Sequence, residues 1–192
     1  NLKNLYNEEK SKNDDIELNN LSTFLDDNIY KIEKMINNFI RNIILIIEND
    51  NILDISISIK KKNYEKNTDQ KYLENCLVEV KDIFKENYQD QTIMHMIIVV
   101  NDKNESNFLL NYTDNNHDYL FLEVKFISIP NNFTFNFDKL LENHQVKIKR
   151  YMSGNYIKSF FGKDSTELSV MANNLNNGLN KNEVQLVSKS MK

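Results

Sequence analysis

Between residues 53 and 60 hydrophobic and polar positions alternate without a break. Leu53, Ile55, Ile57 and Ile59 fall on one side, and Asp54, Ser56, Ser58 and Lys60 on the other. A period of two predicts a half-buried strand, because successive side chains of extended backbone point to opposite faces. Upstream the period changes. Ile29, Ile32, Ile36, Phe39, Ile43 and Ile47 recur at helical spacing, widened by Met35, Ile40 and Ile44. They predict one long amphipathic helix running from Asp27 to the break at Asn49-Asp50-Asn51. Asp26 and Asp27 stand at its positive N-terminal end, where carboxylates are favoured. Residues 1–20 are polar and charged with little periodicity, so 1–26 reads as a flexible leading segment.

Downstream, Asn67 with Gln70 three positions on resembles a capping box. Leu73, Cys76, Leu77, Val80, Ile83 and Phe84 then draw a second helical stripe, to about Asn87. Two long apolar segments follow, 92–100 and 119–127, rich in β-branched and aromatic residues; they predict a strand pair built to be covered. The polar stretch 101–118 between them is long enough to project as a loop. Pro130, the sole proline, closes the second strand by removing a backbone donor. Asn132 or Thr134 can cap a third helix carrying Phe137, Leu140 and Leu141. Val146 and Ile148, alternating with Lys147 and Lys149, predict a fourth strand that leads to Tyr156, Ile157, Phe160 and Phe161.

The resulting order, α-β-α-β-β-α-β, predicts an α+β fold of two layers with helices packed on one face of a mostly antiparallel sheet, spanning 27–162. Residues 163–192 read as a tail. Asp164 and Glu167 frame a short helix with Leu168, Met171 and Leu175; Asn176-Asn177-Gly178 ends it before an apolar pair, Val184 and Leu186. This tail is expected to be a weak appendage or a linker.

A chain of 192 residues fits one domain or one and a fraction, and can remove roughly 70% of its unfolded surface from water. Asparagine, isoleucine and lysine are abundant together, as the codon bias of an A+T-rich genome would give. Asn-rich patches, and the Asn-x-Ser/Thr triplets at Asn20, Asn111 and Asn132, therefore carry little weight. The net charge of −4 argues against a nucleic-acid partner, which calls for a clustered cationic excess. The clusters Lys60-Lys61-Lys62 with Lys66, and Lys147 with Lys149 and Arg150, read as solvated strand ends. A single cysteine, Cys76, cannot form an internal disulfide, and a reducing cytoplasm is expected. No stretch approaches the roughly 20 apolar residues of a membrane span, and no signal-peptide pattern opens the chain. It begins with Asn1, which points to a processed product or a piece of a longer protein.

Three glycines, Gly154, Gly162 and Gly178, do not compose a phosphate-binding loop, so self-contained nucleotide hydrolysis is not expected. His95, His117 and His144 lack the local spacing of a zinc site. His95, in mid-strand, reads as a core or interface histidine whose ring finds one hydrogen bond, and His117 belongs to the projecting loop. Cys76 lies on a helix stripe, which gives a Cys/His nucleophile pair no positional support. One enzymatic pattern is sharper. Glu123-Val124-Lys125, with Asp114 or Asp118 upstream, resembles the Asp…Glu-x-Lys site of Mg²⁺-dependent nucleases, in which two carboxylates hold the metal and the lysine assists the attacking water. An ordinary solvated Glu/Lys pair on a strand face is the competing reading and the favoured one. No enzyme activity, metal or cofactor is therefore expected.

Several segments together resemble the FtsA family of bacterial actin-like cell-division proteins around its inserted SHS2 subdomain. Ile55-Ser56-Ile57-Ser58-Ile59 is similar to the family's Val-x-Val-Ser-Ile strand, and Ile93-Met94-His95-Met96-Ile97 to its Ile-Leu-His-x-Ile strand. Leu122-Glu123-Val124-Lys125-Phe126 is similar to Leu-Glu-Val-x-Val, and residues 136–146 occupy the place of the helix and turn that follow. Gly162-Lys163-Asp164-Ser165 stands where the family soon presents its phosphate loop, so the nucleotide site is expected to lie outside this chain. The resemblance implies an SHS2-like, non-catalytic interaction module that contributes to divisome assembly and to tethering the tubulin-like (FtsZ-type) division ring. Division proteins are the implied partners, with self-association also possible. The implied location is the cytoplasmic side of the inner membrane, with membrane contact only indirect or through residues outside this chain. A pilus-assembly actin-like protein is the related alternative. Partner contacts are expected at Glu123 and Lys125, at Asn115 and His117 in the loop, and at Lys60 and Lys61.

Overall fold

The computed structural model describes residues 2–48, 51–62, 70–99, 119–162 and 167–185, with side chains from residue 18 onward. Its elements are α1 (Leu2–Ile36), β1 (Asn42–Ile47), β2 (Leu53–Lys62), α2 (Gln70–Asn87), β3 (Gln91–Ile98), β4 (Tyr119–Pro130), α3 (Asn131–Glu142), β5 (Lys147–Ser153), α4 (Gly154–Phe161) and α5 (Leu168–Asn176). The chain is thus a mixed helix-and-sheet protein with an antiparallel three-stranded sheet, order β2-β4-β3, and a separate two-stranded sheet of β1 and β5. It divides into two compact units, 1–45 with 132–151 and 46–131 with 152–192.

In the first unit α1 already begins at Leu2, so the leading residues expected to be flexible are helical. The predicted long helix also stops early, at Ile36. Asn37 takes the left-handed conformation (φ 54°), and Asn38 N–H donates back to Glu33 O at 3.1 Å. This is the bonding of a helix that ends on a left-handed residue, a conformation Asn tolerates better than most. Beyond it, Asn42–Ile47 is a strand (NIILII); a short, unbroken run of branched aliphatics favours extended backbone over another turn of helix. The end of α3 repeats the device. Gln145 has φ 58°, and Val146 N–H donates to Leu141 O at 3.1 Å. α3 starts directly after Pro130 and buries Phe133, Thr134, Phe137 and Leu141, with the two phenyl rings 4.7 Å apart.

The second unit is built on the alternation in β2, which the structure keeps from end to end, half-buried and exposed in turn. Leu53 pairs with Ser128, and each following residue of β2 steps back one along β4 until Lys62 meets Tyr119. The apolar side of this sheet meets α2. Leu73, Cys76, Leu77, Val80 and Phe84 from the helix pack with Met96, Ile98, Leu120, Leu122, Val124 and Phe126 from the strands, and Ile55, Ile57 and Ile59 close the margin. Phe84 is fully buried and stacks on Phe126, with centroids 4.6 Å apart. Burying a side chain of this size contributes about 1.5–3 kcal/mol, so this cluster is the principal stabilising feature of the unit.

Three expectations about the sheet are corrected. The 146–149 strand does not join the main sheet; β5 pairs with β1, an element the helical reading had absorbed. Helices do not lie on one face only. At the Ile129 end of β4, Ile127, Ser128 and Ile129 are all buried, and Tyr156 of α4 comes against the face opposite α2, with its ring 4.3 Å from that of His95. Nor do residues 182–184 hang free as an appendage, since they pair with the outer edge of β3.

One irregularity decides which residues of β3 face which way. Between Ile93, opposite Ser128, and His95, opposite Ile127, the register shifts, and Met94 is the extra residue. Ile93 and Met96 both pack toward the α2 cluster, although plain alternation would send them to opposite sides. A bulge of this kind takes one residue out of the alternation, and here that residue is Met94, which lets both Ile93 and Met96 stay on the α2 side with His95 on the other.

Candidate functional site

The face of the sheet turned away from α2 carries three of the six residues singled out as candidates. Register puts Glu123 opposite Ser58, Lys125 opposite Ser56 and Lys60 opposite Phe121, all on that face. Lys125 Nζ lies 2.8 Å from Asp54 Oδ2, and both groups are solvent-exposed. Lys60 Nζ sits over two rings at once, 4.6 Å from the Tyr119 centroid and 4.9 Å from that of Phe121, within cation–π range. Tyr119 is 43% exposed and Phe121 59%. Both rings therefore stand open to solvent on the central strand of the sheet.

Lys61 does not belong with them. It pairs opposite Leu120, on the α2 side, where its ammonium is ion-paired with Glu79. That hydrogen bond holds its pKa above the ordinary value, against an opposing push from burial. Adjacent strand residues must face opposite ways, so Lys60 and Lys61 cannot share a docking face. Asn115 and His117 lie outside the described residues, as do Asp114 and Asp118.

Asp54 does not supply a second metal-binding carboxylate to Glu123. The carboxylate beside Lys125 is Asp54, which stands level with Ile127, four residues along β4 from Glu123. That is about 13 Å of strand, too far for the two groups to share an ion. Among the described residues no group of three or more His, Cys, Asp or Glu could hold a metal. Cys76 is buried and burial pushes its thiol pKa up, which works against a thiolate nucleophile.

His95 is more elaborately held than its place in the sequence foretells. Its ring is buried and takes two hydrogen bonds, not one. Nδ1 lies 2.7 Å from Glu183 Oε1, and Nε2 accepts the Ser153 backbone N–H at 2.9 Å. Because a backbone amide can only donate, Nε2 must be the unprotonated nitrogen, and the ring proton sits on Nδ1, directed at the carboxylate. The Glu183–His95–Ser153 arrangement is superficially that of a hydrolytic triad, but its chemistry differs. The nitrogen that would act as base is occupied by an amide, and Ser153 Oγ caps α4 by accepting from Tyr156 N–H at 3.2 Å. Ring orientation and chain fastening are what it accomplishes. Its partners stand 58 and 88 positions away, so no local spacing could have announced them; the only sequence signal is a histidine within an apolar strand.

No helix among the described residues is long and apolar enough to cross a membrane. Compared with family models and with curated proteins, the chain matches none.

Proposed function

We propose that the chain is a non-catalytic docking module of an FtsA-like kind, whose exposed sheet face takes up a partner protein. The observation that carries this reading is the open Tyr119/Phe121 pair bridged by Lys60 on the central strand, with Lys125 and Glu123 beside it. Aromatic rings ringed by polar groups are what protein interfaces use as anchors. Glu123 within the face and the overall charge of −4 favour a protein over a phosphate backbone. The element order β2–α2–β3–β4, strand–helix–strand–strand with the helix on one sheet face, supports an SHS2-like assignment. The sequence resemblance then supplies the context: assembly of the divisome at the cytoplasmic side of the inner membrane, with the tubulin-like ring protein or another division component as partner.

The test is direct binding of the purified chain to the tubulin-like division protein of the same organism, followed by interferometry. Binding is expected in the absence of metal and nucleotide. Phe121→Ala and Lys60→Glu should each weaken it at least tenfold, about 1.4 kcal/mol. Absence of binding to division components would refute the context, and binding indifferent to both substitutions would refute the face.

A further inference from the structure

The outer edge of β3 is filled by the chain itself. Ile98 N–H donates to Asn182 O at 2.9 Å, Val184 N–H donates to Met96 O at 2.8 Å, and Ile97 and Glu183 form an antiparallel bridge. Residues 182–184 are therefore a short added strand. Its two informative side chains go opposite ways. Glu183, level with Ile97, reaches the face where His95 waits and places its carboxylate on Nδ1; Val184 packs against the α2-side cluster. Asn180 braces the approach, accepting Asn182 N–H at 3.0 Å and donating to the Tyr156 hydroxyl at 2.8 Å.

The receiving edge is specific because His95 has been fixed in advance. Ser153 N–H claims Nε2, which leaves a single ring N–H aimed at the position of Glu183. A carboxylate is the strongest acceptor for it, and an ammonium there would be rejected. The docked strand also leaves one buried atom, Asn182 Oδ1, without a partner among the described residues. A three-residue strand with such a defect is a weak closure for a sheet edge, and strand addition at an edge is a common way for proteins to take up extended segments.

We propose that the β3 edge is a docking site for an extended segment of a partner protein in which a carboxylate residue is followed by an aliphatic one, and that residues 182–184 occupy it in cis. The site is separate from the Tyr119/Phe121 face, and its test is independent of that reading. A partner's strand would run antiparallel to β3, present its carboxylate to His95, and displace Asn182–Val184 as it binds.

A fluorescent peptide copying residues 179–186 (Leu-Asn-Lys-Asn-Glu-Val-Gln-Leu) is titrated against the full chain and against its Glu183→Lys variant, whose own strap cannot accept from His95. The variant should bind the peptide at least about tenfold more tightly than the unmodified chain, because it has lost the intramolecular competitor. The same peptide with Lys in place of its Glu should not bind. In the unmodified chain, amide exchange at Ile98 and Val184 should run at least about tenfold faster than at Val99, whose N–H is held at 2.9 Å by Glu123 O of β4. Equal binding to both chains, binding to neither, or equal protection of Ile98 and Val99 would overturn the proposal. So would a dimer of the unmodified chain that Glu183→Lys abolishes, which would make a second copy's tail the occupant.

Discussion

His95 Nδ1 lies 2.7 Å from Glu183 Oε1, and the side chains of both are almost wholly removed from solvent, 0% and 4% exposed. A carboxylate in that position depends on its donor. His95→Leu is expected to cost about 3 kcal/mol, since it leaves the charge without its imidazole and Ser153 N–H without its acceptor. Glu183→Leu should cost about 2 kcal/mol, and the double variant at least about 1 kcal/mol less than the sum of the two. Urea titrations of the four proteins measure this. Strict additivity would mean that the pair is not energetically coupled.

Phe84→Ala removes a ring that is completely buried between Phe126 and Tyr88, with centroids 4.6 and 5.1 Å away. The loss combines transfer free energy with a cavity that α2 and the sheet cannot collapse to fill. A cost of about 3–5 kcal/mol is expected by chemical denaturation. Phe121→Ala, on the open face, should change stability by less than about 0.5 kcal/mol, which makes it a clean probe of binding.

The Tyr151 hydroxyl shares its proton between Thr134 O at 3.0 Å and Asp138 Oδ1 at 2.8 Å. Burial first, and then the bond to Asp138, push its pKa above the ordinary value of 10.0. A raised folded pKa means that stability from this group is complete below pH 10 and is lost as pH rises beyond it, because the unfolded chain releases the proton first. Tyr151→Phe should cost about 1 kcal/mol at pH 8 and make the decline above pH 10 shallower, by at most about 1.4 kcal/mol per pH unit. Unfolding free energies measured from pH 8 to 11 decide it; parallel profiles for the two proteins would contradict the assignment.

Asn37 ends α1 in a left-handed conformation. Asn37→Gly should leave stability unchanged or raise it by a few tenths of a kcal/mol, whereas Asn37→Ala should cost about 1 kcal/mol, since a Cβ disfavours that backbone. Comparing the helical circular dichroism of the two variants on heating gives the order. Ala equal to Gly would indicate that the helix end is set elsewhere.

This residue also marks where the sequence was hardest to read. The stripe through Ile29, Ile32 and Ile36 continues in number through Phe39, Ile43 and Ile47, so periodicity ran one element into the next; the Asn37-Asn38 pair was the stop signal that should have outweighed it. With 42–47 taken as helix, β5 has no partner strand other than the main sheet, whereas in the structure it pairs with β1. β2 and α2, by contrast, were legible because each has one face against the same core and a clean period. Lys60 and Lys61 could have been separated by that same period. The burial of His95 is legible from its apolar neighbours, but its partners arrive from distant segments, and nothing local encodes them.

Met94 is the one residue of β3 that stands outside its ladder with β4. Ile93 and His95 on either side of it face the consecutive residues Ser128 and Ile127, so Ile93, His95 and Met96 follow the alternation of β4 as if it were not there. Deleting that one methionine would leave Ile93 and His95 adjacent, opposite Ser128 and Ile127, so the ladder would straighten with Ile93 and Met96 still toward α2 and the imidazole still on the far side. What is lost is one buried side chain; shortening here should therefore be tolerated, whereas deleting His95 or Met96 with Met94 still outside the ladder would rotate every earlier residue of the strand to the wrong face.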